Sequence, residues 1–291
     1  MRVLTRKRKL SKAMDEIASI TLWGFNLMFL LLIIWILYTI LSKGLPKLTP
    51  NFLVELPDEI NIGGGIGPVL FNSFYVLFIS LIISIPVGVG AGIYLSEYAQ
   101  KNKFTFLLRM SVESLASVPS VVFGLFGMAI FVEYFHIGLT IIGAAVTLAL
   151  LNLPVITRVT EESIRALPIG LREASYALGT TKFECIRTIV LPAAFNGIVT
   201  GICLVAGRAY GESAVIILTA GTSTSGRMWD FNLFSPGGTL AVHLWYIQSE
   251  AIVPDAKEIA DKAAAVLVLV VLMINFLLRI PVWFKEHKFK I

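Results

Sequence analysis

Long apolar runs separated by short polar connections dominate the pattern of this chain. Each run has about 20 residues or more, which is enough for an α-helix to cross the hydrocarbon core of a bilayer. Hydrophobic residues make up 56% of the 291 residues and charged residues 15%, whereas soluble domains are about 25% charged. The expected fold class is therefore an all-α integral membrane protein, a polytopic bundle of six transmembrane helices at approximately 17–41, 69–95, 111–135, 138–157, 196–220 and 263–284.

The distribution of Lys and Arg predicts the orientation of these helices. Of the 24 basic residues, 18 lie in segments that the six spans place on one side of the membrane: 2–12, 96–110, 158–192 and 279–291. Basic loops are retained in the cytoplasm, so both termini and the loop after the fourth helix are expected there. The predicted division is a basic segment 1–16, a first helix 17–42, an extracytoplasmic loop 43–68, a transmembrane domain 69–284 and a cytoplasmic tail 285–291. That domain contains a cytoplasmic loop 158–195 and an extracytoplasmic loop 221–262.

The polar stretch 171–192, LREASYALGTTKFECIRTIVLP, lies between the fourth and fifth apolar runs. We call it the coupling segment. Glu173, Ala174 and Ser175 can continue a helical turn, and Gly179 permits a break with positive φ. A second amphipathic pattern follows and is expected to end at Pro192. The prediction is a helix, a turn and a short helix.

Four spaced elements of the coupling segment form one pattern. Glu-Ala-Ala, three residues, Gly, nine residues and Ile-x-Leu-Pro describe it with Ser175 as the only departure. The pattern resembles the cytoplasmic loop of importer-type ABC transporter permeases, which docks into a cleft on a separate ATPase subunit. The resemblance assigns this ATPase-coupling loop to Glu173, Ala174, Ser175, Gly179, Ile189, Leu191 and Pro192. The alternative is an ordinary cytosolic loop with a glycine turn.

The fifth apolar run contains two charged residues, Arg208 and Glu212, and charges within a span are costly enough to indicate function. At positions i and i+4 of one helix they are expected to share a face, where they can neutralise each other. A guanidinium offers a planar fork of donors to an oxyanion, and Ser213 adds a hydroxyl. The predicted substrate pathway is therefore Arg208, Glu212 and Ser213, with a purely structural buried pair as the alternative. Gly197 with Gly201 and Gly207 with Gly211 have the spacing that lets helices approach closely.

Other chemistry is not expected in this chain. His136, His243 and His287 are scattered, and two cysteines are too few for a metal knuckle, so we predict neither a metal site nor a catalytic residue. The G-x-x-x-x-G-K-[ST] pattern of a phosphate-binding loop does not occur, so ATP must be bound and hydrolysed by another chain. The net charge of +5 comes from residues at the ends of spans, which argues against a nucleic-acid partner.

Further strings are similar to the phosphate-specific permeases of bacterial ABC importers. They are GGGIGPVLFNS, IPVGVGAGIYLSEYA, SVPSVVFGLFG, LPVITRVTEESIRALPIGLREASYALGTTKFE and GRAYGESAVIILTAG, within residues 63–220. Ser213 stands where that family usually has threonine, which keeps the hydroxyl. The resemblance implies inward transport of phosphate across a bacterial or archaeal cell membrane. It also implies three partners besides membrane lipid: a cytoplasmic ATPase, a homologous second permease and an extracytoplasmic phosphate-binding protein.

Two alternatives stay open. A permease of the same kind could carry another oxyanion, such as molybdate or sulfate. An intramembrane enzyme acting on lipid-linked phosphate would use Arg208 and Glu212 as catalytic residues, but it would need further polar groups at the same depth, and the other spans offer almost none.

Overall fold

The computed structural model describes residues 2–58, 63–249 and 253–288, with side chains between residues 14 and 284 of those ranges. The predicted tail 285–291 and the two predicted outer loops thus lie partly outside the described residues. Eleven α-helices occupy the described ranges: α1 Arg2–Gly44, α2 Gly67–Ile93, α3 Lys103–Ala116, α4 Ser120–Gly127, α5 Ile141–Arg165, α6 Gly170–Ala177, α7 Lys182–Cys185, α8 Leu191–Tyr210, α9 Ala214–Thr219, α10 Leu240–Ser249 and α11 Ala256–Lys288. Short 3-10 helices follow α1 at Leu45–Lys47 and Asn51–Leu53. Wider π-helical turns extend α2 through Tyr94–Tyr98, extend α4 through Met128–Tyr134, and join α7 to α8 through Ile186–Val190.

Five helical segments of the described chain are long and apolar enough to cross a membrane. They are Met14–Lys47, Gly67–Tyr98, Ile141–Arg165, Lys182–Tyr210 and Ala256–Phe284. The bent pair α3 and α4 supplies a sixth when it is counted as one span. The predicted all-α, multi-span bundle is confirmed in this form.

Helix α5 lies at the centre of the bundle. In its most apolar stretch 67% of the residues are buried inside the chain, compared with 0% in α1, whose main contacts are with α11 and the short helix that follows it. Glycines let the neighbouring helices approach α5 closely: a Cβ at Gly92 of α2 would lie 2.5 Å from Cβ of Thr160, and one at Gly201 of α8 would lie 2.3 Å from Cγ1 of Val159. The close approach that the Gly197 and Gly201 spacing predicts is therefore confirmed.

The predicted third span, 111–135, is not one straight helix. α3 ends at Ala116, α4 begins at Ser120, and the two axes are bent by 96°. The cause is Pro119, which has an extended backbone (φ −58°, ψ 139°). Proline has no N–H to donate and pushes the preceding residue out of the helical region.

The predicted fifth span, 196–220, was wrong at both ends. Pro192 does not close a short helix, because it lies in the first turn of α8, where a missing N–H costs nothing, and the helical segment is continuous from Lys182 to Tyr210. At the other end α8 stops at Tyr210, and Gly211 caps it before the short helix α9 begins at Ala214. The fourth and sixth helices also differ from their predicted bounds, since α5 continues to Arg165 and α11 begins at Ala256.

The chain between α9 and α10 folds onto the end of the bundle that lies away from the coupling segment. The backbone N–H groups of Ile141 and Ile142 donate to the carbonyl oxygens of Ser235 and Leu233, at 3.0 and 2.9 Å. The N–H of Leu240, the first residue of α10, donates to Oγ of Ser73 at 2.8 Å. The predicted loop 221–262 is thus a packed cap that contains a helix of its own.

Candidate functional site: the coupling segment and the Arg208 face

The coupling segment folds as a short helix and a tight turn, as predicted, but its second helix is not short, because α7 runs without a break into α8. Glu173 and Ala174 are exposed on α6, and Gly179 has φ +80°, with open space around the position of a Cβ. Thr181 caps α7: its Oγ1 accepts from the N–H of Glu184 at 3.3 Å, and Oε2 of Glu184 accepts from the N–H of Thr181 at 2.8 Å. This reciprocal capping box determines where the second helix begins.

Ser175, the one departure from the family pattern, is the buried residue of α6. Its Oγ lies 2.6 Å from Oγ1 of Thr180, and that hydroxyl in turn donates to the carbonyl oxygen of Ser175 at 2.9 Å. Since the Thr180 hydrogen is used in the second bond, Ser175 donates in the first. The serine therefore closes the turn around Gly179.

Arg172 attaches the coupling segment to the end of α2. Its Nε and one terminal nitrogen donate to Oε1 of Glu97 at 3.0 and 2.7 Å, and the side chains are only 17% and 7% exposed. The guanidinium also donates to the carbonyl oxygens of Ile164 and Leu167, at the end of α5. Lys182 reaches the same place, because its ammonium donates to the backbone oxygen of Glu97 and lies 4.7 Å from the ring centre of Tyr98.

A second ion pair lies beside the first. Arg109 of α3 donates to Oε1 of Glu161 at 2.7 Å and to the carbonyl oxygen of Leu95 at 2.7 Å. Glu161 of α5 is buried, and Arg165 approaches the same oxygen at 3.4 Å. The two arginine–glutamate pairs thus connect α2, α3, α5 and α6, at the point where the coupling segment meets the spans.

The rest of the coupling segment leads directly into α8. Cys185, Ile186 and Val190 are buried, and Cys185 and Val190 belong to a small apolar cluster with Ile164 and Ala194. Ile189 and Leu191 are half-buried and Pro192 is exposed. No break separates α7 from α8, so the two form one continuous helical segment from Lys182 to Tyr210.

Large apolar side chains on and beside the coupling segment are exposed. Ile169, Leu178 and Phe183 are 71%, 83% and 64% exposed. We call these three residues the docking surface. Apolar groups of this size on an otherwise polar stretch indicate contact with a partner.

The predicted substrate residues do not form the expected pair. Arg208 is in the last turn of α8 and is exposed, whereas Glu212 lies beyond the helix end, in the break between α8 and α9. Within the described chain no ion pair links them, because the helix that would set them at i and i+4 ends at Tyr210. Ser213 is half-buried and is the residue immediately before α9. Arg208 continues an exposed stripe on α8 with Thr200 and Leu204.

A family model described as the inner membrane component of binding-protein-dependent transport systems matches residues 84–282. The match covers most of the chain, from the middle of α2 to the end of the last span, and includes the whole coupling segment. The chain belongs to this family. As a permease of an ABC importer it leaves ATP hydrolysis to a separate subunit.

Relatives of this permease extend the match almost to the full chain. It is 33% identical over 288 residues to the phosphate transport system permease protein PstA of Yersinia pestis, covering 97% of this chain and 94% of that one. It is 43% identical over 250 residues to a protein of Bacillus subtilis described as the probable ABC transporter permease protein YqgI, covering 82% and 85%.

Solved structures of other ABC importers share the fold of the permease. A chain of the MetNI methionine transporter in an inward-facing conformation superposes with a TM-score of 0.57 at 23% identity, covering 76% of this chain and 94% of that one. A chain of a bacterial ABC transporter involved in the import of alginate gives a TM-score of 0.59 at 14% identity, covering 88% and 95%. At these identities the likeness concerns the fold alone.

Sequence reasoning missed the ion pairs beneath the coupling segment of the permease. Glu97 and Arg172 are 75 positions apart, and Arg109 and Glu161 are 52 apart. The available signal was the acidic side chain in the last turn of the second span, a place where Lys and Arg are usual on the cytoplasmic side. No group of three or more potential metal ligands occurs in the part of the chain that the structure describes.

Proposed function

We propose that this permease forms part of an ABC importer for inorganic phosphate. The observation that carries the proposal is the 33% identity to a phosphate permease over 97% of the chain. We further propose that both termini and the coupling segment are cytoplasmic, and that ATP is bound only by the partner subunit. The other partners are a homologous second permease and an extracytoplasmic phosphate-binding protein.

Of the predicted substrate residues Arg208, Glu212 and Ser213, Arg208 is the one best suited to bind an oxyanion. It is exposed, it has no acidic partner within the described chain, and it stands at the end of α8, beside the break before α9. A guanidinium can donate two parallel hydrogen bonds to phosphate. Glu212 is close in sequence and half-buried, and its negative charge would keep the anion from being held too tightly.

In this proposal the coupling segment transmits force from the ATPase subunits to the membrane helices. Closure of the ATPase subunits pushes on the docking surface and on Glu173. Because α7 continues into α8, the push tilts α8 and moves Arg208, while the Arg172–Glu97 pair carries the same motion to α2. As a result, Arg208 is exposed alternately to the two sides of the membrane.

Uptake by proteoliposomes tests the proposal. The permease, purified with the subunits that accompany it, is reconstituted with ATP inside, in the orientation that exposes the binding-protein side. We expect uptake of radiolabelled phosphate that Arg208→Gln lowers roughly ten- to a hundredfold, because one charge-assisted bidentate contact is worth about 1.5–3 kcal/mol. Lys101→Gln removes a cation from an exposed cytoplasmic turn and should leave uptake unchanged.

Competition separates phosphate from the other oxyanions. An excess of unlabelled phosphate should abolish uptake, whereas sulfate or molybdate should not. If sulfate or molybdate competes better than phosphate, the permease carries that anion instead, and the phosphate assignment is wrong.

A further inference from the structure

A cavity of about 510 Å³ opens on the side of the bundle between α5, α8 and α11. Asn196, Thr200 and Leu204 of α8 form one wall, and Asn275, Arg279 and Val282 of α11 form the other. The floor is made by Gly197 and Gly201, where α8 touches α5. The cavity exists because these small residues leave no side chain between the helices.

Two polar groups of this cavity lack a partner within the described chain, whereas Thr200 and Asn275 donate to backbone oxygens of their own helices. Arg279 forms no ion pair or hydrogen bond with any residue of the described chain. Oδ1 of Asn196 is buried and has no hydrogen-bond partner. A buried carbonyl without a donor is unfavourable, and the exposed guanidinium of Arg279 is open to an anion from outside the chain. The pair is satisfied by a ligand that carries a negative charge and a hydroxyl.

Arg279 also borders an apolar surface. The next face of α11 carries Phe276, Ile280, Trp283 and Phe284, which line a second hollow of about 580 Å³ shared with Arg279. The last apolar run of the sequence ends at Phe284, before Lys285 and Glu286, so Arg279 lies five residues, about 7.5 Å, inside that end. At this depth a guanidinium reaches the headgroup layer while aromatic side chains lie at the interface.

We propose that this cavity binds an anionic phospholipid of the leaflet on the coupling-segment side, with its phosphodiester on Arg279 and an acyl chain along the apolar face of α11. A headgroup that carries hydroxyls, such as the glycerol of phosphatidylglycerol, can donate to Oδ1 of Asn196. Free phosphate shares the charge but has nothing to place on Phe276 and Ile280. Basic pockets between transmembrane helices are known to bind anionic headgroups on the cytoplasmic side.

Trp283 is a built-in reporter for this lipid. The permease with its accompanying subunits is placed in two series of nanodiscs, in which the mole fraction of either brominated phosphatidylglycerol or brominated phosphatidylcholine is raised in the same steps. Bromine quenches tryptophan fluorescence on contact. The contribution of Trp283 is the difference between each protein and its Trp283→Phe version. We expect this contribution to be quenched at a roughly fivefold lower mole fraction of the anionic lipid.

Variants test whether the preference for phosphatidylglycerol over phosphatidylcholine depends on the cavity. Arg279→Gln should abolish it, and Arg279→Lys should keep most of it. Lys103→Gln removes an exposed cation at the start of α3, and should not change it. Millimolar inorganic phosphate should not change it either.

Four results would overturn the proposal. The preference could survive Arg279→Gln, or disappear equally with Lys103→Gln, which would make it a general surface-charge effect. Phosphate could displace the lipid, which would make the cavity an ion site. Trp283 could remain unquenched by both lipids, which would mean that a neighbouring protein subunit covers this face.

Discussion

Glu97 connects three parts of the molecule: the end of α2, the end of α5 and the coupling segment. It accepts two hydrogen bonds from Arg172, whose guanidinium also binds the end of α5, and its backbone oxygen accepts from Lys182. With both side chains largely buried, removal of one partner leaves the other charge uncompensated, which costs several kcal/mol. A rigid contact of this kind is suited to transmitting force from the coupling segment.

Glu97→Gln should therefore weaken both stability and coupling. We expect a lower thermal midpoint and a fall in phosphate transported per ATP hydrolysed, because Arg172 loses its counter-charge. Glu113→Gln is the matched control, since Glu113 is 67% exposed and lies 3.8 Å from Arg158. In a double-mutant cycle, Glu97→Gln with Arg172→Gln should cost less than the sum of the single changes. Strict additivity would show that the pair does not act as a unit.

His243 makes the stability of the cap, at the end of the bundle away from the coupling segment, depend on pH. It is 8% exposed, Nε2 has no partner within the described chain, and burial lowers the pKa of His243 to about 4. An unfolded histidine has a pKa of about 6.5, so acid favours the unfolded chain. The stabilisation is complete above pH 6.5 and falls by about 3 kcal/mol as the pH drops to 4.

The thermal midpoint of the purified permease, measured between pH 7 and pH 4, checks this expectation. His243→Gln has a similar volume and does not titrate, so its midpoint should fall less steeply over this range. Equal slopes for the two proteins would mean that the pKa of His243 is the same in the folded and the unfolded chain, and would contradict this expectation.

At the scale of single helices, contacts through glycine decide how the bundle packs. Gly88 and Gly92 of α2 face Ile156 and Thr160 of α5, and Gly201 of α8 faces Val159, on a neighbouring face of α5. In a membrane, helix association depends on such close van der Waals contact, because lipid is as apolar as the side chains that it replaces. Close contacts at glycines thus pack both α2 and α8 against the central helix α5.

Two glycines of α2 allow a matched test. A methyl group at Gly92 would lie 2.5 Å from Cβ of Thr160 and 2.8 Å from a backbone oxygen, whereas nothing lies within 4 Å of one at Gly90. Gly92→Ala should destabilise the permease by about 1–3 kcal/mol through overpacking. Gly90→Ala should be neutral or stabilising by up to about 1 kcal/mol, because alanine is the better helix former. Equal thermal midpoints for the two variants would contradict the packing of α2 on α5.

Two glycines, Gly179 in the turn of the coupling segment and Gly170 just before the segment, allow a second matched test. Gly179 and Gly170 both have open space around the position of a Cβ, but only Gly179 has a positive φ, of +80°. Gly179→Val should therefore strain the backbone by about 1–2 kcal/mol and lower transport per ATP without preventing membrane insertion, whereas Gly170→Val should have a much smaller effect. Unchanged coupling in Gly179→Val would show that the shape of this turn is not needed.

Across the whole molecule, the lengths of the apolar runs were sufficient to predict a helical bundle and the approximate places of its spans, of which the described chain has five, or six if the bent pair is one span. It could not predict the breaks at Pro119 and at Gly211, because proline and glycine occur within spans as well as between them. The end of α8 at Tyr210 separated Arg208 from Glu212, and thus removed the pair that helical spacing had indicated. The coupling segment was predictable because its signals are local, whereas its ion pairs join residues far apart in the chain.

The exposure of α1 and of the docking surface suggests that the chain is one part of a larger assembly. In α1 the apolar side chains are exposed on every side, including Trp23, Phe25 and Trp35. Lipid and a second permease can cover them, whereas the docking surface lies on the polar coupling segment. The account as a whole therefore depends on contact between that segment and an ATPase.

Photo-cross-linking tests this contact most directly. A photoreactive amino acid is placed at Leu178, which is 83% exposed on the coupling segment, or at Trp229, which is 61% exposed in the cap at the other end. In the transporter isolated from its host membrane, we predict that position 178 cross-links to a nucleotide-hydrolysing subunit and that position 229 does not. Absence of such a product from position 178, or the same product from both positions, would contradict the account.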